Sequence, residues 1–218
     1  MIIVGPDELL DAPEAWPVTS TAVLASGQIA QFVQDQVTTP DGELIAREYV
    51  QHPGAVGVIA LDDDLRMALV RQYRHPVRHR LIEPPAGLLD VEGEDHLLTA
   101  QRELAEEAGL AATSWRVLVD LFTTPGMVGE ALRIYLARDL ILASAPDGFS
   151  RHGEEAHMDT VWASLADVVD AVLDGRLHNP TVVAGALAAW TALQRDGFVS
   201  LRPPDAPWPA RDPLPRPA

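Results

Sequence analysis

Apolar residues recur along this chain with two different periods, and the change from one to the other divides it. Residues 1–17 mix acids with Pro6, Pro13 and Pro17 without lasting periodicity, so a loosely held lead-in is expected. Strand-like runs follow at 22–25, 29–37 and 44–50, with Pro40-Asp41-Gly42 as a turn before the third. They predict a small antiparallel meander over 18–52. Two further apolar runs, 55–61 and 67–72, flank Asp62-Asp63-Asp64 and read as a hairpin with an acidic tip.

Between Glu94 and Gly109 the period becomes helical, with Leu97, Ala100, Leu104 and Ala108 on one stripe. Asp95 is placed to cap the start, and Gly109 stands where a left-handed residue ends a helix. Strands are expected at 116–122 and 132–136, on either side of a loop over 123–130. A polar loop at 144–157 leads to a short strand near 160–163. Helices over 165–173 and 182–195 close a domain spanning 53–200, with Asn179-Pro180 marking the break between them. From Arg202 onward seven of seventeen residues are proline, so 201–218 is expected to be a flexible tail.

Length and composition fit one full-sized core: 218 residues, 47% hydrophobic and 22% charged. The net charge of -16 disfavours broad nucleic-acid binding, since such a surface repels phosphate backbones. All sixteen basic residues are arginine. The absence of cysteine excludes disulfides, thiolate metal sites and a cysteine nucleophile. The first ten residues lack the pattern of a signal peptide, and no apolar run approaches a membrane span, so a cytoplasmic protein without membrane contact is expected.

Candidate chemistry lies on the first helix. Glu103, Glu106 and Glu107 stand at i, i+3 and i+4, and at ~100° per residue they share one sector beside the apolar stripe. Three carboxylates so close repel one another, and a bound cation removes the conflict. Oxygen ligands without nearby histidine or cysteine favour a hard ion, Mg2+ or Mn2+, over zinc. Such ions bind phosphate oxygens and neutralise transition-state charge, which points to hydrolysis at phosphorus. Read alone, an E-x-x-E-E run is more often a solvated helix face.

The run is not alone. Residues 87–110 resemble the Nudix box, G-x5-E-x7-R-E-U-x-E-E-x-G-U with U aliphatic, at Gly87, Glu94, Arg102, Glu103, Leu104, Glu106, Glu107, Gly109 and Leu110. One departure is the loop between Gly87 and Glu94, where six residues stand instead of five. The resemblance implies an α/β fold, the Nudix α/β/α sandwich with a mixed sheet. It also implies that Glu103 and Glu107 are the principal metal ligands, that Glu106 assists, and that the backbone carbonyl of Ala86 adds a ligand. Arg102 and Glu94 are implied to form an ion pair orienting the loop and the ligating glutamates.

Beyond the box the chain is similar to the ADP-ribose pyrophosphatase branch of that family, over roughly residues 20–195. The similarity rests on the runs REYVQHPGAV, VRQYRHPV and IEPPAG, and on TTPG with Pro125 sixteen residues beyond Gly109. Implied substrate contacts are Arg47, Arg71, Tyr73, Arg74, Glu83 and Pro125, the arginines supplying positive charge for a diphosphate. Where the branch has Trp-Glu-Leu-Pro-Ala-Gly, this chain reads Ile82-Glu83-Pro84-Pro85-Ala86-Gly87, which removes an aromatic stacking surface. Tyr73 or a partner-chain residue is the alternative platform for the base. The branch carries a catalytic glutamate on the loop before the last strand, which here corresponds to Glu155 or Glu154, flanked by His152 and His157.

The resemblance therefore implies metal-dependent cleavage of a nucleoside diphosphate derivative, with ADP-ribose giving AMP and ribose 5-phosphate. Other nucleotide sugars, dinucleotides and oxidised nucleoside triphosphates stand as alternatives, as does a non-catalytic sensing module. The meander is implied to exchange between subunits of a homodimer.

Overall fold

The computed structural model describes residues 3–91, 93–143 and 157–215. In chain order the strands are β1 (Val18–Ser26), β2 (Gln31–Thr38), β3 (Leu44–Gln51), β4 (Ala55–Ala60), β5 (Arg66–Arg74), β6 (His79–Glu83) and β7 (Ala86–Leu88). After helix α1 (His96–Ala108) come β8 (Leu110–Phe122), β9 (Val128–Gly129), β10 (Ala131–Leu142) and β11 (Asp159–Ser164), then α2 (Leu165–Leu173) and α3 (Pro180–Asp196). The chain divides into two compact units, one of Met1–His52, Thr124–Gly129 and Trp208–Ala218, the other of Pro53–Thr123 and Glu130–Pro207.

The first unit holds a sheet in the order β1-β2-β3-β9. β1, β2 and β3 form the antiparallel meander that the strand pattern predicts, and β9 joins β3 in parallel through Val50 and Val128. The edge strand β1 is exposed along its whole length, Val18, Val23 and Leu24 included.

The second unit contains two sheets, in the orders β7-β4-β10-β8 and β11-β5-β6. Side chains alternate across a strand, and here both faces are covered. Val56, Val58 and Ala60 of β4 face one way and join Ala100 and Leu104 of α1, together with Val117, Tyr135 and Ala137. Ile59, Leu69, Ile134 and Leu136 face the other and join Leu165 and Val168 of α2 with Val182, Ala186 and Ala189 of α3. Helices on both faces make the α/β/α sandwich, and they explain why the central strands read as continuous apolar runs. Gly185 of α3 allows the closest approach, since a Cβ there would lie 2.6 Å from Ile59 Cδ1.

Two expectations need correction. The acidic turn forms, with Asp62 Oδ1 accepting from the Asp64 and Arg66 amides, but β4 and β5 share only the bridge Leu61–Met67 before parting into different sheets. Both strands are buried on both faces, so their residue pattern carries no information about which neighbour each one takes. The flexible tail is also corrected for much of its length. Arg202 bridges to Val117, Ala206 belongs to the core under α1, and Trp208 and Arg211 are buried. Prolines lack the amide for a strand ladder, but their carbonyls still accept, and here side chains supply the donors. Among the described residues, no helix is long and apolar enough to cross a membrane.

Candidate active site

Helix α1 presents the acidic face because both of its ends are fixed locally. The Asp95 side chain accepts from the Leu97 amide, and Gly109 adopts a left-handed φ of 65° that closes the last turn on Leu104 and Ala105. Leu104 and Ala100 sink into the core, which leaves Glu103, Glu106 and Glu107 along the flank beside β7.

Arg102 organises this face. Its Nη1 donates to Glu103 Oε1 at 2.8 Å and to Glu106 Oε2 at 3.1 Å, while Nε and Nη2 reach Glu94 at 3.4 and 3.3 Å. Thr99, fully buried, donates its hydroxyl to Glu94 Oε2 at 2.7 Å. Burial raises the Glu94 carboxyl, but Arg102 and Thr99 outweigh it and hold the group below its ordinary value. Stability from this depressed carboxylate is present above the ordinary carboxylate range and is lost as pH falls through the folded value. Burial also disfavours the Arg102 charge, yet the surrounding carboxylates keep the guanidinium protonated well above its usual range. The ion pair implied for Arg102 and Glu94 is thus present, and Glu103 and Glu106 share the same cation.

Glu107 is buried and accepts from the Ala86 amide at 3.0 Å, which ties the helix to the start of β7. Its own carbonyl accepts from the Thr160 hydroxyl on β11 at 3.2 Å. Glu103 lies over Gly87, where a Cβ would fall 2.1 Å from Glu103 Oε1. The glycine therefore leaves room for the carboxylate over the strand. Among the described residues no three carboxylates or histidines close on one point, and Arg102 stands between Glu103 and Glu106. The donor set itself, carboxylates with no sulfur or imidazole among them, fits a hard divalent cation.

The implied substrate residues fall into separate groups. Arg74 grips the buried Glu83 through Nε at 3.1 and 3.2 Å and Nη2 at 2.7 Å. Glu83 thus orients Arg74 through this grip. Alternation along β5 puts Arg71 and Tyr73 on the opposite face from Arg74, and Arg71 pairs with Asp159 on β11 at 3.1 Å. Arg80 joins them, reaching Asp159 at 3.4 Å and the His157 carbonyl at 3.2 Å. Tyr73 is partly exposed, with its hydroxyl 3.3 Å from His75 Nδ1. Arg47 and Pro125 belong to the other unit, where Arg47 stands on β3 with Nη1 on the Ala46 carbonyl and Pro125 sits in an exposed turn. Glu154, Glu155 and His152 lie outside the described residues.

The run from Glu83 to Gly87 connects two of these groups. β6 ends at Glu83 in one sheet and β7 starts at Ala86 in the other, so Pro84 and Pro85 carry the chain between sheets, with the Pro85 carbonyl accepting from Val58. One segment therefore positions the Arg74–Glu83 pair and the amide that holds Glu107. Sequence reasoning missed Thr99, Arg80 and Asp159. Thr99 carried a readable signal, one turn inside the helix and five residues from Glu94, whereas the Asp159 contacts arise from strand pairing across 88 and 79 residues.

Comparison with known proteins shows the family to which the chain belongs. The family model described as the NUDIX domain matches residues 51–184. An ADP-ribose pyrophosphatase of Mycobacterium tuberculosis (strain ATCC 25618 / H37Rv) is 44% identical over 189 residues, covering 87% of this chain and 89% of that protein. An ADP-ribose pyrophosphatase of Bacillus subtilis (strain 168) is 37% identical over 154 residues, 71% of this chain and 81% of its own. Among solved structures, that of an ADP compounds hydrolase superposes with a TM-score of 0.69 over 87% of this chain and 100% of its own, a likeness of fold at 21% identity. A matched model that takes in the whole carboxylate helix, together with relatives this similar over most of their length, establishes that the chain belongs to the NUDIX domain family.

Proposed function

We propose that this protein is a pyrophosphohydrolase that cleaves the diphosphate bond of ADP-ribose, releasing AMP and ribose 5-phosphate. The observation that carries the reading is the flank of α1, where Glu103 lies over Gly87, Glu107 is tied to Ala86, and Arg102 gathers Glu94, Glu103 and Glu106. Similarity to two ADP-ribose pyrophosphatases supports the choice of substrate.

In this reading Glu103 and Glu107 hold Mg2+ or Mn2+, with Glu106 and the Ala86 carbonyl assisting. When bound, such a cation neutralises charge on the phosphate oxygens and acidifies water. Arg102 keeps Glu94 and so anchors the loop behind the helix. Arg74, held by a two-point grip on Glu83, supplies positive charge for the diphosphate on an otherwise acidic protein, and Arg71, on the other face of β5, adds charge toward the remainder of the substrate. Tyr73, exposed on the Arg71 face of β5, offers a ring for adenine.

Hydrolysis of a substrate panel, scored by AMP release, tests the assignment. ADP-ribose is expected to show a higher kcat/KM than any nucleoside triphosphate, and activity is expected to vanish with a chelator and return with Mg2+ or Mn2+. Faster turnover of an oxidised nucleoside triphosphate, or activity untouched by chelation, would refute it. The reading also includes a homodimer formed through the meander, supported by the open edge and exposed apolar side chains of β1. Light scattering at micromolar concentration is expected to give twice the chain mass, and a fully active monomer would remove the dimer from the account.

A further inference from the structure

The second core, under α1, contains an arginine that the proposed chemistry does not use. Arg133 on β10 is 2% exposed, and all three of its guanidinium nitrogens are engaged. Nε and Nη2 donate to Asp120 on β8 at 2.8 and 3.0 Å, Nη1 to the Ala206 carbonyl at 2.7 Å, and Nη2 also to the Pro207 carbonyl at 3.0 Å. Asp120 accepts in addition from Arg202 at 2.7 Å, and the Arg202 carbonyl accepts from the Val117 amide at 3.0 Å. The segment 202–207 is therefore held at both ends by β8 and β10. Ala206 between these anchors is part of the same apolar cluster as Ala100 and Leu104 of α1.

Strand register connects this clamp to the carboxylates. Directly paired residues across a sheet share a face. Asp120 pairs with Arg133, Arg133 with Val56, and Val56 with Gly87. The clamp and the glycine under Glu103 thus stand in one row on the α1 face, two strand spacings apart, or about 10 Å. Tyr135, two residues along β10 on that face, hydrogen-bonds Arg133, packs edge-on against Trp115 with ring centroids 6.2 Å apart, and feels the charge of Asp95, the cap of α1.

We infer that the segment 202–207, clamped by Arg133 and Asp120, is a strap that positions α1 and thereby sets how tightly its glutamates hold a divalent cation. Arg133, Asp120 and Arg202 are positioning residues, acting through the core and the start of the helix. The arginine fork is needed because a lysine offers one point of charge and cannot span a carboxylate and two carbonyls together. Groups that orient ligating side chains from behind commonly change metal affinity by about 10- to 100-fold when altered.

This inference rests on the proposed metal site, and its test reads cation binding and helix protection separately from turnover. In full-length Arg133→Lys, studied well below its unfolding midpoint, Mn2+ affinity measured by calorimetry is expected to fall about tenfold or more. Hydrogen exchange is expected to quicken at the Leu97 and Thr99 amides in the first turn of α1, while the amides of α3 keep their protection. A variant that only melts earlier, with unchanged Mn2+ affinity and unchanged exchange in α1, would overturn the inference by making the strap a stabilising element alone. Should Arg133→Lys fail to fold, Arg202→Ala and Asp120→Asn take the same two measurements, and wild-type values in both would overturn it equally. A wild-type protein that binds Mn2+ but leaves ADP-ribose intact would refute the proposed substrate, not the strap. If wild type binds no Mn2+, the proposed metal site and the coupling inferred from it fail together.

Discussion

Replacing Glu107 by glutamine, or Glu103 by glutamine, is expected to lower turnover of ADP-ribose by about 10³-fold while the protein stays folded. Cation stabilisation of charge at phosphorus supplies several kcal/mol, and each 1.36 kcal/mol is tenfold in rate. Glutamine removes the ligand charge but keeps an acceptor oxygen, so the Ala86 amide retains its partner opposite residue 107 and Arg102 retains one opposite residue 103. Loss of a charge from the Glu103–Glu107 pair also relieves an i,i+4 repulsion of roughly a few tenths of a kcal/mol. Thermal unfolding is therefore expected to move by no more than about 4 °C, the shift that ~1 kcal/mol produces in a domain of this size. Wild-type turnover in either variant would remove these carboxylates from the metal site, and collapse of the fold would make their role structural.

The second large effect is expected at Glu155. The helix carboxylates are committed to Arg102, to the Ala86 amide and, in the proposed reaction, to the cation, so the attacking water needs a base from another segment. The chain just after Glu155 is anchored next to the proposed substrate residues, with the His157 carbonyl on Arg80, Met158 buried, and Asp159 between Arg71 and Arg80. Glu155→Gln should lower kcat by about 10² to 10⁴, some 3 to 5 kcal/mol of barrier, with little change in KM or in Mn2+ affinity. Glu154→Gln should do far less. Steady-state kinetics on the two variants separates the roles: the reverse ranking would assign the base to Glu154, and two near-normal enzymes would place it outside this segment.

The helices and the carboxylate face were legible because their causes are local. In α1 the apolar stripe, the Asp95 cap and the left-handed Gly109 lie within fifteen residues of one another, and the spacing of Glu103, Glu106 and Glu107 sets their common direction before any partner is known. The same holds for α3, where Asn179 caps the helix through the Thr181 and Val182 amides and Pro180 starts it. The meander was legible because its strands are consecutive and joined by short turns. The pair of Arg102 with Glu94 was implied by the family resemblance, and the two stand eight residues apart within that motif.

What sequence pattern could not decide was pairing between distant strands buried on both faces. Nothing in the runs of β4 and β5 says that they separate, because an unbroken apolar strand is compatible with any neighbour. The partners of the arginines follow from that pairing. Arg71 meets Asp159 because β5 lies beside β11, and Arg74 meets Glu83 across the β5–β6 hairpin. A proline-rich stretch read as a tail becomes part of the core because Arg133, 73 residues earlier than Ala206, supplies the donors that its own backbone lacks. The helices and the acidic face follow from contacts a few residues long. Tertiary structure decided the long-range pairs, such as Arg71 and Arg80 with Asp159, because hydrogen-bond register joins residues whose separation along the chain leaves no periodic trace.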